Sequence, residues 1–408
     1  MNGCGNFYLC DGWGAASIGA VDPGAFAAGG NTTENVMTDL LVANLLSPLV
    51  LAFALGIAAR VMRSDLSLPK DIYTGLSIYL LFALGLKGGV ELSKTSWEAI
   101  ALPAAVTLLL GVATPLTAYT VLRRVGRLGI ADSAGIAAHY GSVSAVTFIA
   151  AQQFVERVGV PAEGFMPTLL TLLEVPGIQV ALGLGVVQLA RQRAAAAEEA
   201  RAAGRPAVAL AAAGGGAGVA LAEAPAPALH VVGGGTGTHG SGEGGDWREA
   251  LREVLFGRTM FLLVGGMAIG AAMGTRGWEP VKPFFEGGFK GALTLFLLEM
   301  GILAAARLGD LRKVGLFLLG FGIGMPIVHG LAGVALAHWA GLGVGGATVL
   351  GAMAASASYI AAPPAVRTTL PDASPTLYLT SALAITFPFN LLLGIPLYFG
   401  FARLLAGG

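Results

Sequence analysis

Two short stretches of small and hydroxyl-bearing residues interrupt long apolar segments of the chain. In each stretch two serines lie two positions apart, and the second stretch is followed by the double proline Pro363-Pro364. Proline lacks a backbone N–H and clashes with the preceding helical turn, so a helix cannot continue through this sequence unchanged. At membrane depth a broken helix is tolerated only where it is buried or lines a cavity, so the stretches predict a substrate or ion site. The residues concerned are Gly141, Ser142, Ser144, Ala355, Ser356 and Ser358.

The two breaks offer ligands for an anion and for a cation. The N-terminus of a half-helix presents unpaired N–H groups and a partial positive charge, which suit a small oxyanion. Freed carbonyls and hydroxyls suit a hard cation such as Na⁺, and we expect Thr147 and Ser358 to contribute to its site. The alternative is close helix packing through small residues, which is common in membranes and needs no ligand. Because the pattern occurs twice, we interpret the breaks as a binding site.

Glu174 is the carboxylate that we expect to coordinate the cation. It lies in an apolar segment just before Pro176 and Gly177, where we expect the helix to break. A carboxylate inside the membrane is costly and usually functional. The alternative is an ion pair, or a protonated carboxyl bonded to a neighbouring helix. Glu299 is also a carboxylate inside the membrane, but no helix break lies next to it. For Glu299 we therefore favour a structural role over a role in ion binding.

Five further residues are candidates for the site. His139 and Tyr140 flank the first break and Tyr359 follows the second, where an imidazole or a phenol could bind an oxyanion. The two tyrosines could equally be packing or gating residues, and a lone histidine inside a membrane is more often a hydrogen-bonded packing residue. Thr386 and Asn390 lie in the segment of the second half that corresponds to the Glu174 segment of the first.

The segments around these candidates are too apolar for a water-soluble protein. The chain has 408 residues, of which 55% are hydrophobic and 12% charged, and its mean hydropathy is +0.74. This composition predicts a polytopic all-α membrane protein. The formal net charge is zero and no basic patch is interleaved with aromatic residues, which excludes nucleic-acid binding. Both cysteines, Cys4 and Cys10, lie in the N-terminal tail, so a cysteine metal site or a disulfide in the core is excluded.

Hydropathy predicts ten membrane spans, five on each side of a long Ala- and Gly-rich segment, with the two breaks in spans 4 and 9. The spans are 40–61, 72–90, 97–122, 130–155, 165–190, 254–274, 284–307, 312–339, 345–369 and 376–404. The chain then divides into four parts. They are a disordered extracytoplasmic tail (1–36), a first five-helix repeat (37–190), a flexible cytoplasmic linker (191–247) and a second five-helix repeat (248–408).

The distribution of basic residues predicts the orientation of these spans. Of the 24 Lys and Arg residues, 17 fall in one set of alternate connections and 7 in the other. Basic loops stay in the cytoplasm, so both termini are expected outside and the linker inside. The N-terminal tail agrees, since its charged residues Asp11, Asp22 and Glu34 are all acidic.

The two halves are expected to be inverted repeats. Each half has an odd number of spans, so two homologous halves must insert upside down relative to each other. Internal matches favour homology: Gly85 recurs as Gly301 after 216 positions, and Pro176 recurs as Pro388 after 212. The two serine pairs are 214 positions apart. The near-constant offset supports duplication more strongly than any single match does.

The sequence resembles the sodium-dependent bicarbonate transporter family over essentially the whole chain apart from the tail and the linker. The resemblance implies a ten-helix inverted-repeat carrier that forms a trimer, in which spans 3–5 and 8–10 move as a core against a gate of spans 1, 2, 6 and 7. It also implies a small cytoplasmic regulator of the PII-like type. Members typically carry an aspartate after the second serine run, where this chain has Tyr359. The matching features are Gly141-Ser142-Val143-Ser144, Glu174-Val175-Pro176, Ser356-Ala357-Ser358, Pro363-Pro364, and Arg367 followed by Pro371 and Pro375.

We therefore expect a secondary active transporter in the plasma membrane, surrounded by lipid, that couples Na⁺ to uptake of a small anion by alternating access. Bicarbonate is the first choice of solute, Na⁺ is the coupling ion, no other cofactor is expected, and no enzymatic activity is expected. One alternative is a passive anion channel, which would need a continuous polar pore. The other is an intramembrane hydrolase using Ser142 or Ser358 with His139, but no base and orienting residue are spaced to support it.

Overall fold

The computed structural model of the chain describes residues 33–202 and 256–407. Most of the predicted tail, with Cys4 and Cys10, and most of the predicted linker lie outside these residues. The helices are α1 (Thr33–Leu45), α2 (Pro48–Val61), α3 (Lys70–Leu92), α4 (Trp97–Arg124), α5 (Ile130–Gly141), α6 (Ala145–Arg157), α7 (Met166–Ala202), α8 (Arg258–Trp278), α9 (Gly288–Arg307), α10 (Leu311–Trp339), α11 (Val344–Ala354), α12 (Ala362–Thr369) and α13 (Pro375–Leu405).

Seven helical stretches in the described ranges are long and apolar enough to cross a membrane. One of them, Pro283–Trp339, has 57 residues. At about 1.5 Å per residue it would be nearly three times as long as a hydrocarbon core of about 30 Å. A 3₁₀ turn at Leu308–Asp310 divides it into α9 and α10, and Gly315 has a positive φ of 76°. The fold is therefore that of a multi-pass, all-helical membrane protein.

Three predicted boundaries differ from the structure. The first predicted span is not continuous, because Pro48 starts a new helix and the Ser47 hydroxyl caps it by accepting from the Val50 amide at 3.3 Å. α1 begins at Thr33, inside the predicted tail. α7 continues to Ala202, so the predicted linker is helical over its first residues. Alanine, arginine and glutamate dominate that part of the sequence, and all three favour helix.

One group of helices is held together by backbone contacts at glycines. α3 packs against α8, and α2 packs against α9. A Cβ at Gly89 or Gly270 would overlap a carbonyl of the facing helix in the first pair, and a Cβ at Gly56 or Gly301 would do so in the second. Close approach of this kind is typical of helix association in membranes, where small residues admit the neighbouring backbone. We call these four helices the glycine frame.

The two broken segments, α5–α6 and α11–α12, lie beside each other and run antiparallel. The start of α5 contacts the residues after α12, where Asp132 accepts from the Ser374 amide. The start of α11 contacts the residues after α6, where Glu163 accepts from the Gly343 amide. α13 lies against α11 and contains π-helical turns at Thr380–Thr386 and Asn390–Gly394, on either side of Pro388. This arrangement brings the two breaks together, and the serines of both are buried.

Candidate functional site

The two breaks contact each other directly. α5 ends at Gly141, and Ser142 follows with an extended backbone (φ −103°, ψ 140°). The amide of Ser358, in the second break, is shared between two carbonyls of the first: that of His139 at 2.8 Å and that of Ser142 at 3.1 Å. Carbonyls that helix α5 would leave unpaired at its end are therefore satisfied by the other break.

A second contact runs in the opposite direction. The amide of Ser144 donates to the hydroxyl oxygen of Ser356 at 2.8 Å, and that hydroxyl donates to the carbonyl of Met353 at 2.8 Å. The Ser356 hydroxyl is thus committed to joining the breaks. The hydroxyl of Ser142 is buried and has no hydrogen-bond partner among the residues that the structure describes. The two predicted serines therefore have different surroundings although they occupy matching positions.

Ser144 and Ser358 each accept a hydrogen bond from the turn that follows. The Ser144 hydroxyl accepts from the Thr147 amide at 3.3 Å and caps α6. The Ser358 hydroxyl accepts from the Ala361 amide at 3.2 Å, just before α12. A serine hydroxyl has one donor and two acceptor positions, so each keeps its proton free to donate. Two donors beside the N-terminal ends of half-helices form an arrangement that favours an anion.

A cavity of about 30 Å³ adjoins these two serines. On the same measure one water molecule needs about 10–15 Å³, so the cavity has room for about two groups of that size. On one side its wall carries Ser144, Ser358, Tyr359 and Glu174. On the other side the glycine frame contributes two hydroxyl residues and three large apolar ones. These are Ser77, Thr259, Leu80, Leu81 and Phe296.

Glu174 lies in this cavity wall with 2% of its surface exposed. Within residues 33–202 and 256–407, no group donates a hydrogen bond to its carboxylate and no base pairs with it. The expected helix break after it is wrong, because α7 runs through Pro176 without interruption. Instead, Gly177 lets α7 approach the first break so closely that a Cβ there would overlap the Gly141 carbonyl. The Pro-Gly pair thus brings the Glu174 helix against the first break.

Several other predicted residues support the site without lining the cavity. Gly141 packs on α7, as described above, and the amide of Thr147 is used in the cap of α6. The carbonyl of Ala355 accepts from the Asn390 amide group at 2.9 Å. The Asn390 side-chain oxygen in turn accepts from the Tyr398 hydroxyl at 2.9 Å. Ala355 and Asn390 therefore anchor the second break to α13.

Tyr140 and Thr386 form a closed hydrogen-bonded pair. The Tyr140 hydroxyl lies 2.6 Å from the Thr386 hydroxyl, which donates to the Gly322 carbonyl at 2.8 Å. Both side chains are buried, and neither is part of the cavity wall. Their geometry fits the packing interpretation of Tyr140.

His139 also lies away from the cavity. Its Nδ1 is 2.7 Å from the Gly135 carbonyl of the same helix, and its ring stacks on Tyr378 with the centroids 4.5 Å apart. Nε2 has no partner in the described part of the chain, and no contact links the imidazole to the Ser142 hydroxyl. A serine nucleophile with an adjacent histidine base is therefore not assembled here.

Tyr359, Ser77 and Thr259 add hydroxyls to the cavity wall. The Tyr359 hydroxyl is buried beside the Ser144 side chain and makes no hydrogen bond of standard geometry within the described ranges, so it can turn towards a bound solute. Ser77 and Thr259 were missed by sequence reasoning, since a single hydroxyl in an apolar helix is no distinctive signal. Glu299 accepts from the Leu68 amide at 3.1 Å, which agrees with its structural interpretation.

A protein-family model matches nearly all of the helices described above. The model of the Na⁺-dependent bicarbonate transporter superfamily matches residues 48–403, from the start of α2 almost to the end of α13. The match includes both breaks and every residue of the cavity wall. No curated protein matches the chain significantly.

Proposed function

Because the chain belongs to the Na⁺-dependent bicarbonate transporter superfamily, we propose that it takes up bicarbonate together with Na⁺ by alternating access. The family is one of transporters and not of enzymes, and Na⁺ is the ion on which it depends. The observation that carries the proposal is one cavity that holds two serine hydroxyls, one from each break, together with the Glu174 carboxylate. These groups suit an anion and a cation that bind side by side.

The anion binds to the donors of the two breaks in this proposal. Ser144 and Ser358 donate their hydroxyl protons, and the Tyr359 hydroxyl adds a third donor. The partial positive charge at the start of α6 favours the negative charge of the solute. Gly141, Ser142, Ala355 and Ser356 fix the backbone around these donors, so their role is to shape the site.

The cation binds to Glu174 in this proposal. A carboxylate enclosed by apolar side chains is costly unless a positive charge neutralises it. Na⁺ supplies that charge, and the Ser358 hydroxyl oxygen in the same cavity wall is a further candidate ligand. Thr147 lies in the first turn of α6 outside the cavity wall, so it is not among the proposed ligands. With Na⁺ in place the cavity carries little net charge, and a bicarbonate ion can enter without repulsion from Glu174.

Transport further requires that the cavity open alternately to the two sides. We propose that the broken helices, with α4, α7, α10 and α13, move as a core against the glycine frame. The antiparallel arrangement of the breaks and the offset of about 214 positions support ten spans in two inverted repeats. We also propose a plasma-membrane location with both termini outside and the linker inside. A trimer and a PII-like regulator follow from the resemblance alone.

The proposal is tested by uptake of labelled bicarbonate into liposomes that contain the purified protein. We expect bicarbonate to accumulate only when an inward Na⁺ gradient is present. Other small anions should compete only weakly with its uptake. A tenfold gradient supplies about 1.4 kcal/mol, enough for about tenfold accumulation of one anion. Equilibration without Na⁺ dependence would instead indicate a passive channel. Empty liposomes are the control, and the Ser358→Ala variant should take up less bicarbonate than the parent at low bicarbonate concentration.

A further inference from the structure

Two carboxylates outside the cavity wall connect the two broken segments to each other. Asp132, in the first turn of α5, accepts from the Ser374 amide at 2.8 Å. Glu163, in the loop after α6, accepts from the Gly343 amide at 2.8 Å. Both carboxylates belong to the first half of the chain and both amides to the second. Each contact therefore ties one half to the other.

The two contacts lie at opposite ends of the broken segments. α5 and α6 together form a candidate span from Ile130 to Arg157, with Asp132 near its start and Glu163 just beyond its end. α5 alone, with 12 residues, is roughly 18 Å long. The Ser144 and Ser358 amides, which join the breaks, lie between the two ends. The broken segments are thus joined at three levels.

The surroundings of Glu163 are shaped for this contact. α11 begins beside the loop that carries Glu163, and a Cβ at Gly345 would overlap the carbonyls of Val160 and Pro161. A Cβ at Gly346 would overlap the second oxygen of Glu163, which is buried. Glycines at the start of α11 therefore make room for the loop and its carboxylate. A negative charge at this helix end also interacts favourably with the helix dipole.

We propose that Asp132 and Glu163 are positioning residues that keep the two broken segments in register, so that Ser144 and Ser358 stay aligned in the cavity. An unbroken helix fixes its own register through continuous i→i−4 hydrogen bonds. A broken one does not, since few backbone hydrogen bonds cross the break. The relative position of the two broken segments then depends on contacts at their outer ends. The consequence for transport rests on the proposed function.

The test compares Asp132→Ala and Glu163→Ala with Asp132→Asn and Glu163→Gln. The amide variants keep an oxygen that can accept from the backbone, and the alanine variants do not. Glu98→Ala is the matched control, because Glu98 is an exposed acidic residue in the first turn of α4. All variants are measured per correctly inserted molecule, so that a loss of expression does not count.

The first readout is hydrogen–deuterium exchange of peptides that contain the Ser144 and Ser358 amides, without any solute. We expect exchange there to rise at least threefold in each alanine variant and to return towards the parent rate in the amide variants. If the contacts had only a local role, their loss would raise hydrogen–deuterium exchange only near Gly343 or Ser374. Unchanged exchange at both breaks in both alanine variants would overturn the proposal.

The second readout is Na⁺-driven bicarbonate uptake. We expect the alanine variants to need about three- to tenfold more solute for half-maximal uptake, while the maximal rate changes less than twofold. A fall in maximal rate with unchanged half-saturation would contradict a positioning role at the site. If the parent protein transports no bicarbonate, the proposed function fails, but the exchange measurement still decides the role of the two carboxylates.

Discussion

The backbone amide of Ser144 donates a hydrogen bond to the hydroxyl of Ser356, although the two residues are 212 positions apart in the chain. This bond gives the four serines of the breaks unequal tasks. Ser356 holds the breaks together, while Ser144 and Ser358 line the cavity. Loss of the Ser356 hydroxyl should therefore have a different effect from loss of the Ser144 or Ser358 hydroxyl.

Removing either cavity hydroxyl should weaken solute binding. A typical hydrogen bond contributes about 0.5–1.5 kcal/mol, so Ser144→Ala or Ser358→Ala should raise the half-saturating bicarbonate concentration roughly 2- to 12-fold. Uptake at saturating Na⁺ measures this. Both serines also cap a turn, so Ser47→Ala is the control, because Ser47 caps α2 away from the cavity. A control with the same loss of affinity would contradict the assignment.

Removing the hydroxyl of Ser356 should reduce stability. Ser356→Ala leaves the buried Ser144 amide without its acceptor, which costs about 1–3 kcal/mol. Thermal unfolding of the purified protein in detergent measures the loss. Ser142→Ala is the control: the buried Ser142 hydroxyl has no partner in the described part of the chain, so its removal should leave the unfolding temperature at or above that of the parent. Equal unfolding temperatures for the two variants would show that the Ser356 hydroxyl does not hold the breaks together.

Neutralising Glu174 should weaken Na⁺ dependence. Glu174→Gln keeps size and hydrogen-bonding capacity but removes the charge, so the Na⁺ concentration for half-maximal uptake should rise at least tenfold. Glu299→Gln is the control, because its side-chain oxygen can still accept from the Leu68 amide. The protein should insert normally in both variants. An unchanged Na⁺ dependence in Glu174→Gln would leave this carboxylate with a structural role only.

Adding a methyl group at Gly177 should disturb the contact between α7 and the first break. A Cβ there overlaps the Gly141 carbonyl, and forced overpacking typically costs about 1–3 kcal/mol. Gly183 lies in the same helix with open space around its Cβ position, which makes Gly183→Ala the matched control. We expect only Gly177→Ala to lower the unfolding temperature and the uptake rate. If Gly177→Ala unfolds and transports like the parent, α7 can shift away from Gly141 without loss of stability.

The orientation can be checked independently of transport. A protease site inserted near Gly234 should be cut only from the cytoplasmic side, because the connections richest in arginine are expected there. Sealed vesicles of known orientation, with protease added outside and then after permeabilisation, provide the measurement. Cleavage from the extracellular side would contradict the predicted topology.

The sequence was informative wherever a residue type is costly or rare in an apolar helix. Hydropathy located the helical segments, and the serine pairs located the breaks. Glu174 was singled out by its charge, and it lies in the cavity wall. Each of these signals lies in the local sequence and does not depend on which distant residue comes into contact in the fold.

The sequence was less informative where the outcome depends on which neighbour a residue meets. Pro176 was expected to end a helix, yet α7 continues through it. A proline inside a membrane helix is tolerated where neighbouring groups satisfy the freed backbone. All four serines are predicted site residues, and only the contact between the breaks shows that Ser356 joins them while Ser358 lines the cavity. Ser77 and Thr259 join the cavity through the packing of α3 and α8, which no local pattern encodes.

The glycine frame has a mechanical consequence. Where Gly89 and Gly270 bring two backbones together, no rotamer is available to absorb a displacement. Dispersion contacts weaken over a gap of about 0.5–1 Å, so separation of such surfaces meets steep resistance from the first fraction of an ångström. The frame is therefore stiff, and compliance lies in the larger side chains around the cavity, such as Leu80, Leu81 and Phe296. When the proposed core moves, the frame is therefore expected to stay together as one unit, and contacts change mainly at the surface that faces the cavity.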